Sequence, residues 1–283
     1  MSAAWSVGRI VAASFALLSC TTPPPPAAPA IDQAYYTQVT PERVRGQTAI
    51  PVYGYRVVRT YPHDASSYTE GLVMSDGLLY EGTGLYGRSK LRKLELQSGR
   101  VIEELDLAPK YFGEGVTVLG DKVFQLTYLS NDGFVYDKAT FAKRRDFHYA
   151  DQGWGLTTDG HDLIRSNGSA AIQFVDPATL EPKRYVIVSD NTGPVGFLNE
   201  LEYVDGSIYA NVWQTHFIVR IDPSDGKITG WIDLTGINPD PAVLKYPDVL
   251  NGIAYKSDTD HLLVTGKRWP SIFEIEMVPS PES

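Results

Sequence analysis

The chain has 283 residues, with 34 acidic and 25 basic side chains, so its formal net charge is −9 at pH 7. An acidic surface argues against nucleic acid and anionic membrane as partners, because both carry negative charge. Cys20 is the single cysteine, which excludes a disulfide within the chain, and the five histidines show no paired spacing typical of a zinc site.

The first 20 residues have the features of a secretory signal: one basic residue, an apolar run at residues 10–18 and small residues before Cys20. The apolar run is shorter than the roughly 20 residues that a membrane-spanning helix needs. Cys20 directly follows Leu17-Leu18-Ser19, which is typical of a bacterial lipoprotein signal and predicts lipidation of Cys20. An ordinary cleaved signal is the alternative. Both hypotheses predict a secreted or periplasmic protein, and the first adds a lipid anchor to the bacterial envelope.

Residues 21–50 separate this signal from the predicted domain. Residues 21–30 read TTPPPPAAPA, a composition that stays extended and favours a tether. Residues 31–50 are expected to form a poorly packed lead-in. Over residues 51–283, aromatic and β-branched residues alternate with polar ones, and Asp-Gly or Asn-Gly turns recur. This pattern predicts one all-β domain.

Five segments of the domain share a pattern of a short apolar strand, a tight turn and a second strand. They begin at Glu70, Glu114, Trp154, Asn199 and Asn251, so successive starts are 44, 40, 45 and 52 residues apart. A period of about 40–50 residues with several strands per unit is typical of the blades of a β-propeller. The sequence therefore predicts a five-bladed propeller.

The last unit is one strand short. Third and fourth strands are predicted after the hairpin in four units, whereas the fifth unit reaches the end of the chain after its third strand. Residues 55–61 (YRVVRTY) alternate correctly to supply the missing strand. We expect this N-terminal strand to complete the last blade and close the ring, which leaves no exposed sheet edge at the seam.

The first residue of each unit is predicted to face one mouth of the central channel. Two carboxylates, an indole and two amides stand there, where packing alone would favour aliphatic side chains, because a buried polar group without a partner costs about 1–3 kcal/mol. These residues indicate a binding or catalytic site. The alternative is that they form hydrogen bonds between neighbouring blades or to water in the channel.

Seven blocks of the domain, in order and with similar spacing, resemble the plant and bacterial glutaminyl-peptide cyclotransferases, or glutaminyl cyclases. The matching blocks are YTEGL at residues 68–72, YFGEG at 111–115, GWGLT at 153–157, NELE at 199–202, NVW at 211–213, DVLNGIA at 248–254 and GKRWP at 266–270. This resemblance implies a five-bladed propeller. It also implies conversion of the N-terminal glutamine of peptides or proteins to pyroglutamate with release of ammonia.

The resemblance also implies roles for individual residues. Glu114 is expected to shuttle the proton, and Asn199 and Lys267 are expected to donate hydrogen bonds to the developing oxyanion. The expected substrate-binding residues are Tyr68, Glu70, Phe112, Tyr128, Trp154 and Trp213. Two of these depart from the family pattern, because glutamine is common at Glu70 and tryptophan at Tyr128.

No cofactor is expected to be required for catalysis, with a structural Ca²⁺ left open, and a monomer is expected. Two other functions fit a polar ring around a channel. One is a metal-dependent propeller hydrolase similar to a lactonase, since carboxylate and amide oxygens also bind Ca²⁺. The other is a non-catalytic propeller that binds an envelope component.

Overall fold

A computed structural model describes residues 1, 39–46, 49–238 and 247–279. The regular secondary structure of these residues is almost entirely β-strand, with one short helix, α1, at Pro41–Arg45. Over the described ranges, no helix is long and apolar enough to cross a membrane. The predicted signal with its lipidation site Cys20, the tether at residues 21–30 and the lead-in up to residue 38 lie outside the described residues, apart from Met1.

The first three units each form a four-stranded antiparallel sheet whose strand order follows the chain. The strands of the first are β2 (Thr69–Ser75), β3 (Leu78–Thr83), β4 (Lys90–Leu94) and β5 (Val101–Asp106). Those of the second are β6 (Gly113–Leu119), β7 (Lys122–Thr127), β8 (Asp132–Asp137) and β9 (Lys143–His148). Those of the third are β10 (Leu156–Thr158), β11 (Leu163–Arg165), β12 (Ala171–Val175) and β13 (Pro182–Ile187).

The last two units belong to one eight-stranded sheet. A two-stranded hairpin, β14 (Ser189–Asp190) and β15 (Gly193–Pro194), precedes them. The fourth unit contains β16 (Leu198–Val204), β17 (Ser207–Val212), β18 (Phe217–Ile221) and β19 (Ile228–Asp233). The fifth contains β20 (Leu250–Lys256), β21 (His261–Gly266) and β22 (Ser271–Pro279), and the N-terminal strand β1 (Val52–Pro62) lies beside β22.

Strand β1 joins the two ends of the domain. It pairs antiparallel with β22 from Tyr53 opposite Pro279 to Pro62 opposite Ser271. At its start it also pairs in parallel with β19, which links the fourth and fifth units into one sheet. The strand predicted at residues 55–61 therefore lies next to β22, the third strand of the last unit. The sequence did not predict the parallel contact of this strand with β19.

Helix α1 packs against the domain. Val44 is fully buried. Val39 and Ile50 belong with it to an apolar cluster that is formed by residues of the third and fourth units. Arg43 donates from Nε and Nη2 to the two carboxylate oxygens of Asp190, at 3.0 and 2.9 Å. The burial of these side chains at residues 39–46, 49 and 50 differs from the poorly packed lead-in that the sequence predicts for residues 31–50. Three apolar side chains spread over twelve residues show no period, so their burial depends on contacts with distant parts of the chain.

The first strands of the five units contact one another in the cyclic order β2, β6, β10, β16, β20 and back to β2. Three glycines permit this close approach: Gly71, Gly115 and Gly155. A Cβ added at these positions would lie 2.4, 2.5 and 2.0 Å from backbone atoms of the next unit. Any side chain at these positions would therefore push neighbouring first strands apart.

Candidate active site

Nine side chains line a pocket of about 210 Å³ at the inner end of the sheets. They are Tyr68, Glu70, Phe112, Glu114, Tyr128, Trp154, Asn199, Trp213 and Lys267. All nine are candidates from the sequence, and the structure brings them together in this one pocket.

Three of the polar residues project from equivalent irregularities in the first strands. The register with the second strand shifts around Glu70 in β2, around Glu114 in β6 and around Asn199 in β16. A β-bulge at such a place turns a side chain out of the regular alternation and aims it at a site. The repeated hairpin therefore presents a polar group from the first, second and fourth units to the same pocket.

A second set of pocket residues directly follows the second strand of a unit. The backbone N–H of each of these residues donates to the carbonyl oxygen of the residue two positions before the start of the same unit. The bonds run from Tyr128 to Phe112 at 3.0 Å, from Trp213 to Phe197 at 2.8 Å and from Lys267 to Val249 at 2.9 Å. Gly84 makes the same bond in the first unit, at 2.8 Å. A Cβ at Gly84 would lie 2.3 Å from the ring of Phe112, so glycine leaves room for that ring.

Five aromatic rings form a continuous wall around the pocket. Neighbouring centroids are 6.1 Å apart for Tyr68 and Phe112, 5.9 Å for Phe112 and Tyr128, 6.4 Å for Tyr128 and Trp154, and 5.5 Å for Trp154 and Trp213. Such rings exclude water and lower the local dielectric constant, which strengthens every electrostatic interaction inside.

Glu70 and Lys267 form a buried ion pair on one side of the pocket. Lys267 Nζ lies 2.6 Å from Glu70 Oε1 and 4.6 Å from the ring centre of Tyr68. Asn251 donates from Nδ2 to Glu70 Oε2 at 3.1 Å. Asn251, the first residue of the fifth unit, is fully buried. It therefore holds Glu70 in place and does not line the pocket.

Glu114 has different surroundings, because no cation of the described ranges pairs with it directly. Burial raises the pKa of Glu114 well above its usual value, and the negative charge of Glu70 raises it further, while Lys267 opposes both effects. Burial also raises the pKa of Glu70, but there Lys267 is the main opposing influence. The 2.6 Å contact between Lys267 and Glu70 therefore favours a proton on Glu114 over a proton on Glu70.

Two buried polar atoms of the pocket have no hydrogen-bond partner within the described part of the chain: Glu114 Oε2 and Asn199 Oδ1. An unsatisfied buried polar atom costs about 1–3 kcal/mol. A ligand that supplies partners to both atoms recovers this cost, so both are suited to bind polar groups of a substrate.

A buried charge network supports the pocket from behind. His63 contacts Trp269 O through Nδ1 at 2.7 Å and Glu81 Oε1 through Nε2 at 2.9 Å, and Thr69 Oγ1 donates to the same Glu81 oxygen at 2.8 Å. Both partners of His63 are acceptors, so the imidazole must carry both protons. The network holds the backbone next to Glu70 and near Lys267, and the sequence analysis did not find it.

Three comparisons with known proteins found the same family. The family model described as glutamine cyclotransferase matches residues 30–277, a range that includes α1. The glutaminyl-peptide cyclotransferase of Arabidopsis thaliana is 43% identical over 229 residues, which cover 78% of this chain and 70% of that protein. The crystal structure of Myxococcus xanthus glutaminyl cyclase matches with a TM-score of 0.75 and 32% identity, covering 81% of this chain and 99% of that one.

These findings define the class of protein as an all-β enzyme. The chain belongs to the glutamine cyclotransferase family. The resemblance identified from seven sequence blocks is therefore confirmed. The family assignment replaces both alternative functions, the metal-dependent hydrolase and the non-catalytic scaffold.

Proposed function

We propose that this enzyme converts the N-terminal glutamine of peptides or proteins to pyroglutamate and ammonia, with Glu114 as the proton shuttle. One observation carries the proposal. Glu114 is a buried carboxyl with a raised pKa and an unsatisfied oxygen, and it lies among aromatic rings beside a Glu70–Lys267 ion pair.

The framework for this site is a five-bladed propeller in which β1 completes the last blade. The cyclic contacts of the five first strands support this architecture, as does the long antiparallel register between β1 and β22. A closed ring explains why pocket residues come from units at both ends of the domain. Glu70 lies in the first unit and its partner Lys267 lies in the fifth, 197 positions further along the chain.

The reaction sets the requirements for the shuttle. The neutral α-amine attacks the carbon of its own side-chain amide, a C–N bond forms, and the C–NH₂ bond then breaks. Free α-amines have a pKa near 7.7–8.0, so a neutral amine is available close to neutral pH. The attacking nitrogen must lose a proton and the departing nitrogen must gain one. A single carboxyl within reach of both nitrogens does both, and Glu114 in its protonated form can give its proton to the amide nitrogen and recover one from the amine.

Neighbouring groups stabilise the charge that develops during this exchange. Lys267 uses one N–H on Glu70 and retains two others, and the Nδ2 group of Asn199 is a second donor in the pocket, while its unsatisfied Oδ1 can only accept, for example from a substrate N–H. Both groups are assigned to the oxyanion of the tetrahedral intermediate. The wall formed by Tyr68, Phe112, Tyr128, Trp154 and Trp213 is assigned to hold the folded-back glutamine and exclude water, which would otherwise hydrolyse the amide.

We also propose that catalysis needs no metal ion. Over the described ranges, no group of three or more His, Cys, Asp or Glu side chains is arranged to hold one. The proton transfers assigned to Glu114 supply the acid and base functions that the reaction requires.

The proposal is tested with a glutamine-initiated peptide, by mass spectrometry of the product and by measurement of released ammonia. Glu114→Gln keeps the shape of the side chain but cannot carry the proton, so kcat should fall by about 10²–10⁴-fold or more with little change in substrate affinity. Glu181→Gln, an exposed turn residue, is the matched control and should keep full activity. Wild-type turnover should be the same with EDTA.

Activity retained in Glu114→Gln would overturn the assignment of the shuttle. Activity lost on chelation and restored by a divalent cation would overturn the metal-independent mechanism.

A further inference from the structure

Two apolar side chains at the edge of the pocket are unusually exposed. Apart from Met1, Tyr86 and Leu129 are the most exposed large apolar residues over the described ranges, each at 54%. Other exposed apolar residues lie on β1, β5 and β13, and none of these exceeds 43%. Exposed apolar groups beside a cavity are typical of a surface that a ligand covers.

The two residues occupy equivalent loops of neighbouring units. Tyr86 lies between β3 and β4, and Leu129 lies between β7 and β8. The Tyr86 ring meets the ring of Phe112 edge to face at a centroid distance of 5.4 Å. Leu129 directly follows Tyr128, whose ring also contacts Phe112. Tyr86 therefore borders the pocket on the side of Phe112, and Leu129 adjoins the pocket residue Tyr128 in the chain. We call these two residues the Tyr86–Leu129 rim.

The size of the pocket requires most of a peptide substrate to lie outside it. About 210 Å³ is below the roughly 300–1,000 Å³ of sites that enclose larger ligands. It accommodates the N-terminal glutamine, while the second residue must cross the edge of the pocket, because it is bonded to the glutamine carbonyl.

The surroundings of Tyr68 are suited to different chemistry. Arg268 lies next to Lys267, with its guanidinium 5.3 Å from the ring centre of Tyr68, and it forms a 3.0 Å ion pair with Asp248. An apolar side chain placed there would desolvate charged groups at a cost. An apolar second residue is therefore better accommodated at the Tyr86–Leu129 rim.

We infer that the Tyr86–Leu129 rim is a binding site for an apolar or aromatic side chain at the second position of the substrate. This inference rests on the proposed function and adds a preference among glutamine-initiated peptides. Contacts at the rim are made equally in the bound substrate and in the transition state, so the preference acts on KM more than on kcat.

The test compares kcat/KM for the amides of Gln-Phe, Gln-Leu and Gln-Gly. Wild type should favour Gln-Phe over Gln-Gly by about 3–30-fold, since a partly covered apolar side chain contributes less than full burial. The double variant Tyr86→Ala/Leu129→Ala should bring this ratio to within about twofold of unity, with most of the change in kcat/KM for Gln-Phe and Gln-Leu. The matched control Tyr185→Ala/Ile102→Ala removes exposed apolar side chains on outer strands and should keep the preference.

Equal kcat/KM values for the three peptides in wild type would overturn the inference, as would a preference that survives in the double variant. A change in sedimentation mass without a change in the ratio would show that the rim binds a second copy of the chain, which also overturns it. If wild type releases ammonia from none of the peptides, the proposed function itself fails, and that result is distinct from activity without preference.

Discussion

At the residue scale, the two glutamates of the pocket, Glu70 and Glu114, have the same side chain but different charged neighbours. Glu70 accepts from Lys267 and Asn251, so its carboxylate is compensated on both oxygens. Glu114 has the raised pKa and no cation as a direct partner. Because of this difference, we assign proton transfer to Glu114 and the role of a permanently ionised neighbour to Glu70.

Glu70→Gln tests this division of roles. Removing the negative charge eliminates a cause of the raised pKa of Glu114 and leaves the charge of Lys267 uncompensated, so the pKa of Glu114 should fall. The limb of the kcat/KM profile that reports Glu114 should shift to lower pH, with activity at the optimum within about tenfold of wild type. The profile is measured from pH 4 to 10 alongside Glu181→Gln. An unshifted limb would contradict the electrostatic coupling, and a loss as large as in Glu114→Gln would show that the carboxyls act as a pair.

The repeat predicted part of this site from sequence alone, because the first, second and fourth units begin with the residue that a bulge directs to the pocket. Tyr128, Trp213 and Lys267 came only from the family resemblance. Their common position, one residue after a second strand, is a usable sequence signal once the hairpins are aligned. The contacts of His63 with Glu81 and Trp269 had no such signal. Trp269 is 206 positions away from His63, and only the three-dimensional arrangement brings them together.

At the element scale, β1 has the greatest effect on how the domain is held together. It covers the edge of β22 along nearly the whole length of that strand. Tyr61 is buried in an apolar cluster with residues of the first and last units, and its hydroxyl donates to Glu274 at 2.5 Å. The place of β1 beside the last unit was predictable for two reasons. Apolar and polar residues alternate over residues 55–61, and the last unit lacks a fourth strand of its own. The packing of α1 was not, because five helical residues are too few to show a period.

Deleting Val52–Pro62 should destabilise the protein strongly, because it opens the edge of β22 and exposes the cluster around Tyr61. A loss of several kcal/mol in a domain of this size lowers Tm by on the order of 10 °C. The measurement is thermal unfolding followed by circular dichroism. Val58→Ala, at a position 43% exposed on the same strand, is the control and should change Tm by less than about 2 °C. A wild-type Tm in the deletion variant would show that β1 does not close the domain.

At the scale of the whole molecule, buried carboxyls of β16 connect the units. Glu200 accepts from the backbone N–H groups of Leu72 in the first unit and Ile253 in the fifth, at 3.1 and 2.7 Å. Glu202 accepts from the N–H of Tyr255 at 2.9 Å. First strands of neighbouring units do not share a continuous sheet ladder, so these carboxyls satisfy backbone donors that would otherwise remain unpaired.

The stability of the whole domain should therefore depend on pH. Burial raises the pKa of Glu202 from 4.5 to about 8. The folded state then binds a proton that the unfolded state has released, so the free energy of unfolding should decrease as pH rises from about 5 to 8. A single group contributes a slope of up to about 1.4 kcal/mol per pH unit. Urea unfolding at several pH values should show a shallower slope for Glu202→Gln than for wild type or Glu181→Gln. The same slope in all three proteins would contradict the shift.

The two sets of pocket residues also separate what can vary from what cannot. Gly71, Gly115 and Gly155 are locked by the contact between neighbouring units, so the framework tolerates no change there. The residue after the second strand differs among four units, although the ring of Phe112 confines Gly84 and the ion pair with Glu70 occupies Lys267. Tyr128 and Trp213 occupy this position without such a role and line the pocket. New substrate selectivity is therefore open to evolution or engineering by single exchanges at these two residues, without rebuilding the framework.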